Sequence, residues 1–414
     1  MSTSRVVITG MGAIIAGAED VNHAWENIIK KKHNFTYANF KGINARFFSF
    51  LEEAGSRYSL LPRSLTYALP EHGKLALESC RQAIVQAFGE KSSPVDYYNA
   101  FDCGVLLGSG WGAFDISSQF SHQYDQSGLT HPKSNLITMP GSMTAACAMM
   151  YGFRGYQNTI SAACATGSMA IGEAFELIRS GRAKCMVAGG AESLKSALSI
   201  WSIDVLKALS KETNDPDRAS CPFSRDRTGF VLAEGAAVVC LEEYESAVAR
   251  GAKILGEIKG YASFSDGEYM TRPAEDVSCR ARTISHALAQ AGITPGDVDY
   301  INAHGTSTSL NDLYETRAFK KVFGKNAYGI PISSTKSYTG HLIAAAGSFE
   351  TIICVKAIAD GILPATINLD NPDPECDLNY LPHNHLTGCN INTTVNVSSG
   401  FGGHNAALVI TRED

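Results

Sequence analysis

The sequence predicts a layered α/β fold in which strands alternate with helices. Four apolar runs, at residues 6–9, 103–107, 185–188 and 298–303, each end at a glycine or a histidine and precede residues at helical spacing. Runs of this kind occur on both sides of residues 248–259, which predicts a weak internal duplication. The length of 414 residues suits one large fold of two related halves, or two to three domains.

Composition and charge narrow the class of protein. Charged residues make up 18% of the chain, below the roughly 25% of an average soluble domain, whereas apolar residues reach 44%. This balance predicts a large core and an oligomer interface. The net charge of −6 argues against nucleic-acid binding, so an acidic partner would need a local basic patch.

The cysteines and the N-terminus indicate the compartment. The eleven cysteines include no CxxC pair, so neither a disulfide framework nor a cysteine-rich zinc site is expected. The chain passes from Met1 straight into a strand-like segment, without a charged-then-apolar leader. No apolar run has the length of a membrane span. We therefore expect a reduced, cytoplasmic protein.

The glycines after the first two strands predict close packing of the backbone. Gly10 and Gly12 follow the first strand, but the next glycine is Gly17, so the GxGxxG motif of dinucleotide-binding proteins is not satisfied. Residues 108–112, Gly-Ser-Gly-Trp-Gly, lack the Lys-Ser/Thr ending of a phosphate-binding loop. Both segments therefore favour close packing over nucleotide binding.

Cys164 is the first candidate for chemistry. It lies among small residues, and apolar side chains at helical spacing follow it from Ile171 to Ile178. The cysteine should therefore stand at a helix N-terminus, where unpaired N–H groups and the helix dipole favour thiolate over thiol. We expect a lowered thiol pKa and a nucleophilic sulfur, although free cysteines are often simply buried.

Two histidines stand at element ends beside small polar residues. His304 follows the strand at 298–303, and His341 begins a helix predicted over 342–353. Such a pair suits imidazoles that donate hydrogen bonds to developing negative charge on an oxygen. Together with Cys164 they could alternatively bind zinc, but the spacing carries no metal-ligand signature.

Two further features surround the histidines. Lys336 is either a surface lysine or a buried cation paired with Glu350, and the nearly uncharged helix that follows favours the buried pair. Phe401 stands among glycines near the C-terminus. Its backbone N–H, next to that of Cys164, would form an oxyanion hole.

These residues belong to a series of motifs that covers nearly the whole chain. The motifs lie at residues 6–12, 150–155, 159–168, 187–192, 229–235, 302–308, 334–337, 339–341 and 400–403. In this order they resemble the β-ketoacyl-acyl carrier protein synthases, which are condensing enzymes of the thiolase superfamily. The resemblance implies the thiolase fold, five layers α/β/α/β/α made of two similar halves, and usually a dimer. We expect the halves at 1–255, with the cysteine, and 256–414, with both histidines.

The resemblance also implies roles for single residues. Cys164 would accept the acyl group, and His304 and His341 would support decarboxylation of malonyl-acyl carrier protein and the condensation that follows. Phe401 would act as the gate between acylation of the cysteine and elongation of the chain. The remaining roles are a buried ion pair (Lys336 and Glu350), pantetheine binding (Thr306 and Thr308), an acyl pocket (Trp111, Ile203 and Phe230) and carrier-protein docking (Arg63, Lys74 and Lys207). No cofactor or metal is expected, because the substrates are carried on the phosphopantetheine of acyl carrier protein.

Departures from the family pattern indicate the branch. Fatty-acid enzymes usually carry a second phenylalanine where this chain has Ser399, so the chain resembles the catalytic ketosynthase subunit of type II polyketide or aryl polyene systems. That subunit forms a heterodimer with a chain-length factor. The alternatives are a β-ketoacyl-acyl carrier protein synthase II homodimer of fatty-acid elongation, a degradative thiolase, and a noncatalytic chain-length factor. Cys164 and both histidines argue against the last.

Overall fold

The computed structural model describes residues 3–53 and 56–413. The strands are β1 (Val6–Ile15), β2 (Thr36–Tyr37), β3 (Phe47–Ser49), β4 (Cys103–Gly108), β5 (Gln157–Ile160), β6 (Cys185–Glu192), β7 (Leu232–Ala233), β8 (Gly235–Glu243), β9 (Gly256–Ser265), β10 (Tyr300–Asn302), β11 (Ile332–Ser333), β12 (Ile362–Leu363), β13 (Leu386–Thr387), β14 (Thr393–Gly400) and β15 (His404–Thr411). The helices are α1 (Val21–Ile29), α2 (Arg63–Thr66), α3 (Glu71–Phe88), α4 (Phe114–Ser127), α5 (Ser134–Thr138), α6 (Ser142–Tyr151), α7 (Thr166–Arg179), α8 (Ala197–Asp204), α9 (Tyr244–Ala249), α10 (Ser278–Ala291), α11 (Ser309–Phe323), α12 (Lys336–Thr339) and α13 (Ala346–Asp360).

One ten-stranded sheet runs through the molecule in the order β11-β10-β14-β15-β9-β1-β8-β6-β4-β5. From β1 outward, two antiparallel pairings (β1–β8, β8–β6) are followed by two parallel ones (β6–β4, β4–β5). From β9 outward the same series recurs, with β9–β15 and β15–β14 antiparallel and β14–β10 and β10–β11 parallel. An antiparallel pairing of β1 with β9 joins the halves. This repeat agrees with the predicted duplication, and the boundary at 255/256 stays a prediction.

Helices cover the sheet in layers. On one outer side α3 packs against β1 and β8, and on the other α10 packs against β9 and β15. Between the halves, α7 and α13 contact each other. Each of them contacts strands of both halves, α7 through β6 and β9 and α13 through β14 and β8. The result is the five-layered α/β/α/β/α arrangement that the resemblance implied.

The two central helices begin in the same way. A one-turn 3₁₀ segment, Ala163–Ala165, precedes α7, and another, Ile343–Ala345, precedes α13. Each segment starts with a non-glycine residue at positive φ, 47° in the first and 50° in the second. Such a backbone is strained and turns the chain sharply. Ala344 therefore occupies in the second half the place that Cys164 has in the first.

The structure corrects two predicted boundaries. The first strand does not end at Gly10 but continues to Ile15. A Cβ on Gly10 would lie 2.0 Å from the backbone oxygen of Ala83 in α3, so the prediction of close packing is confirmed, inside a strand rather than at its end. The helix predicted from residue 342 begins at Ala346, because the strained 3₁₀ turn comes first.

Two expectations about the whole chain concern cysteines and membranes. All eleven cysteines lie in the described residues and are unpaired, and nine of them are buried. Within residues 3–53 and 56–413, no helix is both long and apolar enough to cross a bilayer.

Candidate active site

Three segments distant in sequence bring Cys164, His304 and His341 together. Cys164 lies in the turn before α7, His304 comes shortly after β10, and His341 precedes the turn before α13. One ligating atom of each lies within 4.8 Å of the other two, and all three side chains are buried. They line a cavity of about 280 Å³. The structure thus assembles the thiol and the two imidazoles that the sequence singled out.

The Cys164 sulfur is enclosed by backbone. A Cβ on Gly400 would lie 3.0 Å from the Cys164 nitrogen, so only glycine lets the end of β14 approach this turn. The backbone N–H groups of Phe401 and of Cys164 itself interact with the sulfur. They are the two N–H groups that the sequence proposed as an oxyanion hole, and that role stays a prediction.

The expected lowering of the thiol pKa is wrong in net direction. Burial raises the pKa of the Cys164 thiol to about 12, against the opposing effects of the Lys336 charge and the two backbone N–H groups. Removal from water disfavours the thiolate more than these groups favour it. Burial therefore favours the thiol over the thiolate in the resting site.

The hydrogen bonds of His341 fix its tautomer. Its Nδ1 accepts from the backbone N–H of Ile343 at 3.2 Å, so the ring proton resides on Nε2. This Nε2 is buried and has no partner among the residues that the structure describes. Burial, followed by the Lys336 charge, holds the pKa of His341 well below 6.5. A neutral imidazole thus keeps an unused N–H donor in the cavity wall.

His304 is arranged in a corresponding way. The Lys336 Nζ lies 3.4 Å from His304 Nδ1, and because an ammonium only donates, the His304 proton also resides on Nε2. Burial, then the charges of Lys336 and neighbouring groups, holds the pKa of His304 well below its ordinary value. Lys336 is 1% exposed and forms an ion pair with Glu350, as the buried-pair interpretation predicted. Burial raises the pKa of Glu350 to about 7.

Two buried carboxylates support the site and were not recognised from the sequence. Glu315 accepts from the backbone N–H groups of His304, at 2.6 Å, and Gly305, at 2.8 Å, and so clamps the histidine turn. Glu192 accepts from Ser109 and from Gly110 beside the cysteine turn. Burial raises the pKa of each carboxylate to about 7. A weak sequence signal exists only for Glu315, which follows Gly305 by 10 residues, whereas Glu192 and Gly110 are 82 residues apart.

The hydrogen-bond partners of the two histidine rings argue against zinc. Metal-bound histidines donate their other ring N–H to a carbonyl or carboxylate. Here both Nδ1 atoms face donors, the Ile343 N–H and the Lys336 ammonium, which leaves the protons on the Nε2 atoms. The arrangement therefore favours two N–H donors over two metal ligands, although the three atoms are close enough to hold an ion.

The predicted acyl-pocket residues lie on the apolar side of the cysteine. Ile203 and Phe230 are buried in one cluster with Cys164, and the partly buried Trp111 packs against that cluster. The Phe230 ring meets the His341 ring edge-on at 4.9 Å between centroids. The structure therefore brings these three side chains to one place next to the nucleophile.

The remaining predicted residues divide between two places. Thr306, Thr308 and Lys207 line the cavity with Cys164, and the two threonine hydroxyls are 2.7 Å apart. Arg63 and Lys74 instead line a separate surface hollow. The three predicted docking residues therefore do not share one hollow.

Comparisons with known proteins agree with this geometry. Residues 71–247 match the N-terminal domain of beta-ketoacyl synthase, and residues 255–370 match its C-terminal domain. The 3-oxoacyl-[acyl-carrier-protein] synthase 2 of Synechocystis is 38% identical over 100% of this chain and 99% of its own.

Solved structures agree as well. One is a chain from a structure described as a type II polyketide synthase acyl-carrier protein in complex with its ketosynthase bound to the hexaketide. That chain is 34% identical with a TM-score of 0.88, and the match covers 99% of this chain and 100% of that chain. Another is the ishigamide ketosynthase/chain length factor, with 26% identity, a TM-score of 0.89 and 100% coverage of both chains.

The fold and the site define a condensing acyltransferase of the thiolase fold. The matches extend over both halves of the sheet and over the cysteine and histidine segments alike. The chain belongs to the beta-ketoacyl synthase family, as a condensing enzyme of the synthase II and type II polyketide kind.

Proposed function

We propose that this ketosynthase condenses an acyl group held on Cys164 with malonyl-acyl carrier protein and releases CO₂. The observation that carries the proposal is the buried, unpartnered Nε2–H of His341, on a residue that lines the same cavity as the thiol. A neutral donor in a dry site is what a developing enolate oxygen requires. The proposed reaction uses no cofactor, since the substrates arrive on phosphopantetheine.

The first half-reaction transfers the acyl group. The Cys164 sulfur attacks the carbonyl carbon of the acyl thioester, and the oxyanion that forms accepts from the backbone N–H groups of Cys164 and Phe401. The bond to the pantetheine sulfur then breaks. The thiol proton leaves with that sulfur, so no net proton is exchanged, in keeping with a resting thiol.

The second half-reaction forms the carbon–carbon bond. Malonyl thioester loses CO₂, and the electron pair of the broken bond becomes an enolate whose oxygen accepts from Nε2–H of His304 and His341. The enolate carbon attacks the acyl carbonyl on Cys164. The bond to Cys164 breaks, one proton from solvent restores the thiol, and a β-ketoacyl chain two carbons longer remains on the carrier.

We propose the catalytic subunit of a type II polyketide or aryl polyene synthase as the pathway role. Ser399 supports this branch, as does the similarity to a type II polyketide ketosynthase. The partners would be acyl carrier protein and a chain-length factor. Of the predicted docking residues, Lys207 is best supported because it lines the cavity. The unpaired cysteines support the reducing cytoplasm.

A second candidate role is fatty-acid elongation by a homodimer. The 38% identity to a 3-oxoacyl-[acyl-carrier-protein] synthase 2 over the full chain favours it. Mass spectrometry of the native complex separates the two roles. A pair of different homologous subunits supports the polyketide role, and a pair of identical chains supports fatty-acid elongation.

Intact-mass analysis after incubation with acyl-carrier protein tests the chemistry. We expect one acyl adduct on the wild-type chain and none on Cys164→Ala. Cys279→Ala, which removes one of the two cysteines that are not buried, should keep the adduct. An adduct that persists in Cys164→Ala would reject the assignment of the nucleophile.

A further inference from the structure

The wall of the active-site cavity contains a buried arginine that the proposed reaction does not use. Arg280 lies in the first turn of α10, is 7% exposed, and lines the cavity that holds Cys164 and His304. Among the described residues, its guanidinium donates only through Nη1, to Asn311 Oδ1 at 3.0 Å and to Asn311 O at 3.5 Å. The Nε has no partner. Most of the five N–H donors of this side chain are therefore unused.

No carboxylate is paired with Arg280. In the part of the chain that the structure describes, no carboxylate oxygen lies within 4.0 Å of its guanidinium. Glu315, Asp266 and Asp312 act on it from farther away, and burial outweighs them and lowers the pKa of the guanidinium. A buried cation without a counter-ion costs stability, so its presence in a ligand cavity indicates that a ligand completes it.

The charge of the whole cavity agrees with this interpretation. Its described lining includes three cations, Lys207, Arg272 and Arg280, and one acid, Asp266. Arg272 is exposed and lies over the Tyr269 ring at 3.7 Å, without an ion pair to a described residue. The protein as a whole carries a net charge of −6. A cationic cavity in an acidic protein concentrates anions at this opening.

We propose that Arg280, together with Arg272, forms a subsite for an anionic oxygen group of the pantetheine-borne substrate. This inference rests on the proposed function, which brings two such groups into the cavity. One is the phosphodiester at the root of the arm, and the other is the malonyl carboxylate. A guanidinium matches both through paired N–H donors. A cation bound to the malonyl carboxylate would stabilise the ground state and slow the loss of CO₂. We therefore assign the subsite to the phosphodiester, whose binding does not oppose decarboxylation.

The test compares ligands that differ by one anionic group. Binding of phosphopantetheine and of pantetheine is measured by calorimetry, and KM and kcat are measured with malonyl-phosphopantetheine, malonyl-pantetheine and octanoyl-phosphopantetheine. The variants are Arg280→Met and the charge-retaining Arg280→Lys in the full chain. Arg282→Met is the matched control, because Arg282 lies two residues on in α10 and faces the Phe264 ring rather than the cavity.

We expect Arg280→Met to weaken phosphopantetheine binding by about tenfold or more, the scale of one charge-assisted hydrogen bond. It should raise KM equally for both phosphorylated thioesters and leave pantetheine binding unchanged. Arg280→Lys should recover part of the loss, and Arg282→Met should match the wild type. An increase in KM confined to the two malonyl substrates would support the carboxylate as the ligand.

Two results would overturn the subsite. One is wild-type binding and KM in Arg280→Met for every ligand. The other is a uniform loss of kcat at unchanged KM, which a purely structural arginine would give. Failure of the proposed function is visible separately, as a wild-type chain that binds phosphopantetheine but forms no acyl adduct on Cys164.

Discussion

The donor role of His341 leads to a prediction with a defined magnitude. His341→Ala removes an Nε2–H that is buried and has no other partner, so no neighbouring group replaces it at the enolate oxygen. Loss of one such donor costs about 10²–10³-fold in rate, or about 2.7–4 kcal/mol of transition-state stabilisation. We therefore expect CO₂ release from malonyl-acyl carrier protein to slow by at least about 10²-fold. Release at the wild-type rate would refute the donor role.

A second variant separates this chemistry from folding. His341→Ala also leaves the buried Ile343 N–H without its acceptor, which costs about 1–3 kcal/mol of stability. His341→Asn keeps a side-chain oxygen that can accept from the N–H two residues on, but it is too short to extend a donor to the position of Nε2. Both variants should lose decarboxylation to the same extent, whereas His341→Asn should unfold at a higher urea concentration than His341→Ala. Full decarboxylation by His341→Asn would contradict the reasoning.

Three further predictions concern neighbouring groups. Burial raises the pKa of Glu315 to about 7, so protonation below that pH weakens the hydrogen bond that the carboxylate accepts from His304. The rate of decarboxylation should therefore fall on acidification in a pH–rate profile. The Glu315→Gln variant should be slow even at pH 8. Lys336→Met leaves Glu350 buried without its cation and should lower the free energy of unfolding, measured in urea, by about 3–5 kcal/mol. The double variant Lys336→Met/Glu350→Leu should recover most of the lost stability. Trp111→Ala should lengthen the acyl chains found on Cys164 by mass spectrometry, and an unaltered length profile would remove the indole from the pocket.

Features encoded by local sequence were predictable. The helix after Cys164 follows from apolar residues at helical spacing, and its buried face includes Ile171 and Phe175 as that spacing requires. Close backbone packing at Gly10 follows from the absence of a side chain there, whereas the identity of the neighbour, α3, is known only from the structure. These signals come from a few neighbouring residues and do not depend on how distant segments pack.

Features that depend on packing between distant segments were not predictable. Glu315 and Arg280 are charged residues in helices that also carry exposed charges, and only the packing of α10 against α11 decides which ones are buried. The thiol of Cys164 shows the same limit. Its position at a helix start was local information, whereas the burial that raises its pKa comes from segments hundreds of residues away.

The paired 3₁₀ turns have a consequence for how the reacting sulfur keeps its position. A Cβ on Gly167 of α7 would lie 2.7 Å from the Ala344 oxygen, and one on Gly347 of α13 would lie 2.2 Å from Ser168 Oγ, so the two helix starts interlock. Ala344 has no proposed chemical role, but its turn packs against the turn that carries Cys164 and holds that turn in place. The close packing of the two helix starts restricts which side chains fit at the start of α13, and enlarging one there would displace the turn that holds the Cys164 sulfur.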